Sequence, residues 1–564
     1  MRLDTNRKAY IIILLLVALV SANFLNHSFL HIDDYLLIVD NPNLDLSLRN
    51  LTLLLSKPFG YNFGPAADNE VIEVIRYNYY RPVQSLLLII NYKIWGINPV
   101  GFHITNILFH LLCAIFVYKV GLLLFNGDKL IALIAAAVFA VHPVNNEPLA
   151  RATSGEGVLG FFMVASLYYF LNQRKYPSML LFGLALLSKE SAVMLPVVFC
   201  SWPTYAEGWK KGCARLIPYA ILTVVYLVLR ASVFDFVPGG DMVPFRNNIL
   251  TMAVALSDYV RLLLLPYHLS PFYPARLYTD LFQPGVLFSM GLLILLIYLI
   301  WNIRKDRSLF FTLLSIAILL APVVFKANTM IWAMENTALQ DYVYIAERQL
   351  YVPTMFFSLF SAAIILKRAG NTWKNYAVFA FIAIITLFIV LSISAGKIWE
   401  NDSTLFAKWL EVCPKDSAMR HEYLGEVLYK QGKLEGAMHE FRAAMHSTSA
   451  YEKIIKQSEP GRGRMHSRGK LLNTSGPNAL WEYQPSFVAL HFKIGHVYFA
   501  MKDFEHAIRK FKVAVILLPH FIDAHYYLGQ SYMKIGQFGK ARQEFQTVIK
   551  DVHNKRVFDI IGFH

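Results

Sequence analysis

The sequence predicts an all-α membrane protein, a bundle of about 11 apolar helices followed by a solenoid of amphipathic helix pairs. Three observations carry this. Hydrophobic residues make up 56% of the 564 positions, charged residues 16%, and mean hydropathy is +0.42, whereas soluble domains carry about 25% charge. Apolar runs long enough to cross a bilayer recur to about residue 396, separated by short loops with Lys and Arg. Beyond Lys397 the pattern becomes amphipathic, and small residues return at a fixed interval. The net charge of +15 falls largely in loops, where Lys and Arg set topology, so nucleic acid is not the expected partner.

The first run, residues 10–25, follows Arg2, Arg7 and Lys8 and precedes Asp33 and Asp34. The positive-inside bias leaves the amino terminus in the cytoplasm and delivers the two carboxylates to the far face. No small-residue cleavage site follows, so an uncleaved anchor is expected. A first outer loop, 26–101, contains a polar amphipathic stretch from Arg81 to Pro99 that suits the interface better than a crossing.

Further spans are expected at 102–124, 130–142 and 157–171, then a hairpin at 177–205 whose tip is Ser188-Lys189-Glu190-Ser191. Spans at 216–234, 285–301, 308–325, 350–366 and 376–395 follow. Residues 249–266 contain Asp258 and Arg261 and are read as an interfacial helix, since counting them would place the basic Arg304–Arg307 loop outside. Eleven crossings put the carboxyl-terminal region on the same outer face as the carboxylates. Cys113, Cys200, Cys213 and Cys413 have no C-x-x-C spacing, which argues against a zinc site or a disulfide framework.

In the carboxyl-terminal region Gly495 and Gly529, like Ala507 and Ala541, are 34 residues apart, the tetratricopeptide (TPR) period. The expected domains are a membrane part over 1–400, a first TPR-like unit over 401–450, a degenerate repeat or loop over 451–484, and two units with a tail over 485–564. Such stacks present a concave surface for a peptide or protein, with a plain spacer as the alternative.

Adjacent acids at a membrane exit make Asp33 and Asp34 the candidates for a base, one paired with a cation or metal while the other takes a proton. Arg81, Arg151, Lys189 and Arg348 end apolar spans at the depth of a lipid phosphate, which guanidinium binds through paired donors. His103, Asn106 and His110 share a helix face and point either to a metal or to hydrogen bonding between helices. His142 and Glu147 flank a proline turn as a second acid and base pair or as the loop's own bonding. Glu190 and Glu347 require partners at membrane depth.

Several strings occur together in order: His31-Ile32-Asp33-Asp34 with Asn41-Pro42, Tyr80-Arg81-Pro82, Asn98-Pro99-Val100-Gly101-Phe102-His103, Ala140-Val141-His142-Pro143-Val144 with Glu147, Ser188-Lys189-Glu190, Ala346-Glu347-Arg348-Gln349-Leu350-Tyr351-Val352-Pro353, and Trp399-Glu400-Asn401 leading into repeats. This order resembles the transmembrane-and-TPR (TMTC) protein O-mannosyltransferases, within the wider GT-C glycosyltransferase fold, in a form like the prokaryotic members. The resemblance implies transfer of a sugar, typically mannose, from a polyprenyl phosphate with inversion, to a hydroxyl acceptor such as protein Ser or Thr on the extracytoplasmic face.

By that resemblance Asp33 or Asp34 is the catalytic carboxylate, Arg348, Arg81 and Lys189 bind the donor phosphate, and Glu347, Glu190, His142, Glu147, His103 and His110 support them. Some relatives use a divalent metal such as Mg or Mn and others none; here Asp34 or Glu147 would hold it. The TPR surface would engage the acceptor protein. The implied location is a bacterial inner membrane with periplasmic repeats, or an endoplasmic reticulum membrane with lumenal ones. Rival classes are a non-catalytic TPR scaffold for envelope assembly and a lipid or solute transporter. Two departures stand out: Asn145-Asn146 after the His-Pro-Val string, and Arg151-Ala152-Thr153-Ser154-Gly155-Glu156 where relatives tend to a Gly-Arg-Ala-Asp-like stretch.

Overall fold

The computed structural model describes residues 5–30, 33–39, 41, 44–57, 59, 79–202, 209–233, 245–271, 273, 278–335, 345–412, 418–458, 487–517 and 521–554. Among these every regular element is helical. The chain divides into two compact units: the first is Met1–Phe63, Tyr77–Ile331 and Val343–Trp409, and the second is Gly64–Arg76, Trp332–Tyr342 and Leu410–His564.

Among the described residues of the first unit five helices are long and apolar enough to cross a membrane: Asn6–Asn26, Pro99–Leu124, Ala214–Val233, Pro284–Ile303 and Glu347–Trp399. The last runs for 53 residues and breaks at Gly370, whose φ of 55° few other residues adopt; the two expected spans 350–366 and 376–395 lie on either side. Lys129–Val141 and Pro143–Ala150 form a pair bent by 52° that counts as one more candidate. Glu156–Leu171, Glu190–Ser201 and Arg307–Pro322 are shorter apolar helices. The expected hairpin at 177–205 consists of Lys175–Ser188 and Leu195–Ser201 joined by a 3-10 turn.

Local chemistry sets several boundaries. Asp128 starts the helix Lys129–Val141 by accepting from the amides of Leu130 and Ile131 at 2.9 and 3.0 Å. Pro143 ends it, because the helix needs an N–H that proline lacks. The alanines of this helix admit close neighbours: a Cβ on Gly121 would stand 3.0 Å from the Ala132 backbone, the small-residue packing that holds helices together in lipid. Ile221, Val224 and Val228 on one helix, and Leu287, Ile294 and Ile297 on another, are exposed and suit contact with acyl chains. The helix Phe245–Leu264 is not among the candidate crossings. It pairs its own Asp258 and Arg261 at 3.8 Å and bonds through Ser257 to Ser289 at 2.8 Å.

The second unit contains three helix pairs: Ala418–Lys430 with Leu434–Ser458, Phe487–Ala500 with Phe504–Leu517, and Ile522–Lys534 with Phe538–Asn554. In each pair a glycine of the first helix lies under a phenylalanine of the second. A Cβ would come within 2.6 Å of Phe441 at Gly425, 2.6 Å of Phe511 at Gly495 and 2.9 Å of Phe545 at Gly529. Residues 451–458 continue a helix; 459–484, including Gly461–Arg464, lie outside the described residues, as do His31, Ile32, Pro42 and Cys413.

Candidate active site

The bend after Lys129–Val141 exposes backbone groups that must find partners. The helix Pro99–Leu124 supplies them from one face. His103 Nδ1 meets the Leu149 carbonyl at 3.3 Å, Asn106 Nδ2 donates to the Arg151 carbonyl at 2.8 Å, and His110 Nε2 meets the Ala140 carbonyl at 3.1 Å. His110 Nδ1 also reaches the Tyr351 hydroxyl at 2.9 Å. This face therefore bonds helix to backbone, which is one of the two alternatives its spacing offered. His142 Nε2 donates to the Leu263 carbonyl at 3.0 Å while its Nδ1 accepts from Val144. The two departing asparagines act in the same way: Asn145 donates to Phe139 O at 2.8 Å and Asn146 to Ser392 O at 2.9 Å.

The loop 151–153 is held from both sides. Gln84 donates to the Thr153 carbonyl at 2.9 Å. Asp34 accepts from the amides of Leu30, Ala152 and Thr153 at 3.1, 3.4 and 3.0 Å and from the Thr153 hydroxyl at 2.7 Å. Asp34 is buried; burial pushes its carboxyl up to about 6, with these donors pulling the other way. Both of its oxygens are engaged, so Asp34 fixes the loop to the first outer segment.

Asp33 differs from its neighbour. Its side chain is 17% exposed and forms an ion pair with Arg151, the residue that the clamped loop presents. Arg151 also contacts Glu147 Oε1 at 3.2 Å. Glu147, 2% exposed, pairs through that same oxygen with the guanidinium of Arg348 and accepts the Arg348 backbone amide on Oε2 at 2.8 Å. The result is a continuous charged row, Asp33, Arg151, Glu147, Arg348, ending on a guanidinium that is 36% exposed.

The other predicted residues form pairs beside this row, and Arg348 also acts electrostatically on Glu156. Arg81 grips Glu190 through Nε at 3.0 Å and Nη2 at 2.8 Å, with its guanidinium 4.0 Å over the Tyr79 ring. Lys189 meets Glu156 at 2.5 Å. Glu347 accepts from the Ser270 amide at 2.9 Å and the Tyr273 hydroxyl at 2.6 Å. Each member of the adjacent pairs Lys189-Glu190 and Glu347-Arg348 thus finds a partner on another segment of the chain. Sequence reasoning missed Glu156, Thr153 and Tyr273 as partners. Only Glu156 had a signal: an acid opening an apolar run must find a cation.

A divalent metal does not fit the two residues proposed for it. Asp34 is saturated by four donors, and Glu147 stands between two guanidinium groups whose charge would repel a cation. Among the described residues no group of three His, Cys, Asp or Glu side chains converges.

No family model matches the chain. A Caenorhabditis elegans protein named protein O-mannosyl-transferase F38B6.6 is 26% identical over 391 residues, covering 66% of this chain and 54% of the relative. The mouse and human proteins named protein O-mannosyl-transferase TMTC3 are each 24% identical over 77% of this chain, which covers 50% and 51% of them. The chain spans about half the length of the curated relatives it matches. These similarities bear out the resemblance read from the ordered motifs, and with the apolar helices they make this an integral membrane protein.

Proposed function

We propose that this chain, a relative of the TMTC protein O-mannosyltransferases, is a membrane glycosyltransferase that moves mannose from a polyprenyl phosphate to a protein Ser or Thr hydroxyl. The observation that carries the reading is the row joining Asp33 to Arg348 through Arg151 and Glu147. A partly exposed carboxylate and a partly exposed guanidinium are the two groups an inverting transfer needs: one at the incoming nucleophile, one at the leaving group.

Asp33 is assigned as the base. It takes the acceptor's hydroxyl proton as the oxygen attacks the anomeric carbon from the face opposite the phosphate, and the bond from that carbon to phosphate oxygen breaks with its electron pair. Arg348 receives the negative charge that collects on the departing polyprenyl phosphate. Asp34 positions the loop that carries Arg151. Arg81 and Lys189, each committed to a carboxylate, shape the wall beside Arg348. No step is assigned to a metal.

In this reading the chain crosses a bacterial inner membrane eleven times from a cytoplasmic amino terminus. The helix pairs of the second unit are TPR repeats on the periplasmic side that bring in the acceptor protein. The test is transfer of radiolabelled mannose from polyprenyl-phosphate mannose in detergent, with Mg, with Mn and with chelator, for wild type, Asp33→Asn and Asp34→Asn. Expected is chelator-resistant release of polyprenyl phosphate that is lost in Asp33→Asn. Absence of turnover with mannose and glucose donors alike would overturn the reading and favour a scaffold.

A further inference from the structure

Glu147 occupies a place that neither end of the reaction explains. It is almost wholly buried, yet a single oxygen, Oε1, faces two guanidinium groups, and its other oxygen accepts the Arg348 amide. Glu147 lies in the first turn of a five-residue helix, Asn146–Ala150, whose Leu149 carbonyl and following Arg151 carbonyl are tied to His103 and Asn106 of the neighbouring helix. It therefore has little freedom to follow either arginine. Two cations compete for one fixed negative charge, and the share that one takes is withdrawn from the other.

We propose that Glu147 is a positioning residue that couples the two halves of the site, dividing one buried carboxylate between the guanidinium that faces the base and the guanidinium that faces the phosphate. The inference rests on the assignment of Arg348 to the donor phosphate. Its content is the sign of the coupling. When Arg151 turns toward Asp33, Glu147 is left to neutralise Arg348, which then attracts phosphate less. When phosphate satisfies Arg348, Glu147 is released to Arg151, and Asp33 is freed to accept a proton from the acceptor. Donor binding thereby activates the base. Two sites that bias one shared charge are coupled reciprocally.

The experiment measures the affinity of the purified full chain for polyprenyl phosphate, together with donor KM and kcat, in wild type, Glu147→Gln and Arg151→Gln. Removing the shared charge takes away the carboxylate that Arg348 pairs with, so Glu147→Gln is expected to bind polyprenyl phosphate about tenfold more tightly and lower donor KM while kcat falls at least about tenfold. Arg151→Gln commits Glu147 wholly to Arg348, so affinity for polyprenyl phosphate should fall, although Arg151 lies on the base side.

A purely structural role predicts weaker binding in both variants, and that outcome overturns the proposal, as does unchanged affinity in both. Should Glu147→Gln fail to fold, Arg151→Gln is compared with Arg151→Lys, which keeps the charge but not the guanidinium: weaker binding of polyprenyl phosphate in the Gln variant alone supports the coupling, and equal weakening in both, or none, removes it. Opposite shifts in affinity with no mannose transfer by wild type would retain the coupling and discard the transferase reading. A wild type that does not bind polyprenyl phosphate overturns both.

Discussion

Both units of this protein bury charged side chains, but they close them differently. In the second unit Lys493 lies between Glu422 and Glu426, and His421 with Glu440 and His525 with Glu544 each meet at 2.6 Å. The histidine pairs are 104 residues apart, so they occupy equivalent places in the first and third helix pairs. Such contacts tie one repeat helix to the next. In the first unit the row from Asp33 to Arg348 shares its central carboxylate and grows more exposed toward both ends. A structural ion pair is complete within the fold, whereas a site retains charge that a ligand can complete.

The sharpest way to break the comparison is to mutate the two adjacent acids separately. Asp33→Asn should reduce turnover by about 10²–10⁴-fold, the range for removing a positioned base, with the thermal transition of the solubilised protein unchanged. Asp34→Asn should do the reverse to stability, because an amide group would face donors that a carboxylate accepts. A loss of about 3 kcal/mol is expected, read as a lower thermal midpoint and as faster hydrogen exchange at Ala152 and Thr153. An equal loss of stability in both variants would erase the distinction between a working and a fastening carboxylate.

Asp34 also makes a pH prediction. Its carboxyl is raised from 3.8 to about 6 in the folded chain, so the folded state holds that proton more tightly than the unfolded state. The contribution is fully present below about 3.8 and is lost as pH rises through about 6, leaving stability flat above that point. The Asp34→Asn protein should lack this slope between about pH 4 and 6, as measured by thermal midpoint against pH in detergent.

How much of this was legible beforehand follows from what sequence periodicity encodes. The positions of the helices were readable because apolar run length and proline or glycine breaks act locally. The repeat period was readable from Gly495 and Gly529, whose missing side chains admit a phenylalanine. That Asp33 and Asp34 need partners was readable from their place at a membrane exit; which one is saturated was not, since most of the donors to Asp34 come from residues 152 and 153. The cations at 81, 151, 189 and 348 were recognised as a set, but their partners lie on other helices. Only three-dimensional packing sorts a closed pair from an open row. The crossing number is no more local: segments such as 249–266 are long enough to span and are decided by what they pack against.

In the second unit, Lys493→Met should test whether its pairs are as closed as they look. Burial lowers the pKa of Lys493 while its two carboxylates raise it, and the carboxylates prevail. Removing the cation leaves Glu422 and Glu426 facing each other, and a loss of about 1–3 kcal/mol is expected after allowing for the 30% exposure of Glu426. Hydrogen exchange of the helix Phe487–Ala500 should rise while mannose transfer to a small soluble acceptor stays unchanged. A fall in that transfer would mean that the repeat charges act on the chemistry and are not confined to their own unit.

The smallest effect concerns the turns between repeat helices. Gly432, Lys502 and Gly536 occupy matching places and have φ values of 73°, 63° and 77°. The middle turn alone uses a residue with a Cβ, which pays a steric cost in this region. Lys502→Gly removes that cost but gives the unfolded chain more freedom, so the two terms oppose each other. The left-handed penalty of about 1–2 kcal/mol exceeds the entropy of a single glycine, about 0.5–1 kcal/mol. A net gain of up to about 1 kcal/mol is therefore expected, visible as slower exchange across Phe487–Leu517. A loss instead would mean that the Lys502 side chain contributes a contact worth more than its backbone strain, and that this turn, like the row at Glu147, keeps an unfavourable local arrangement for the sake of a partner.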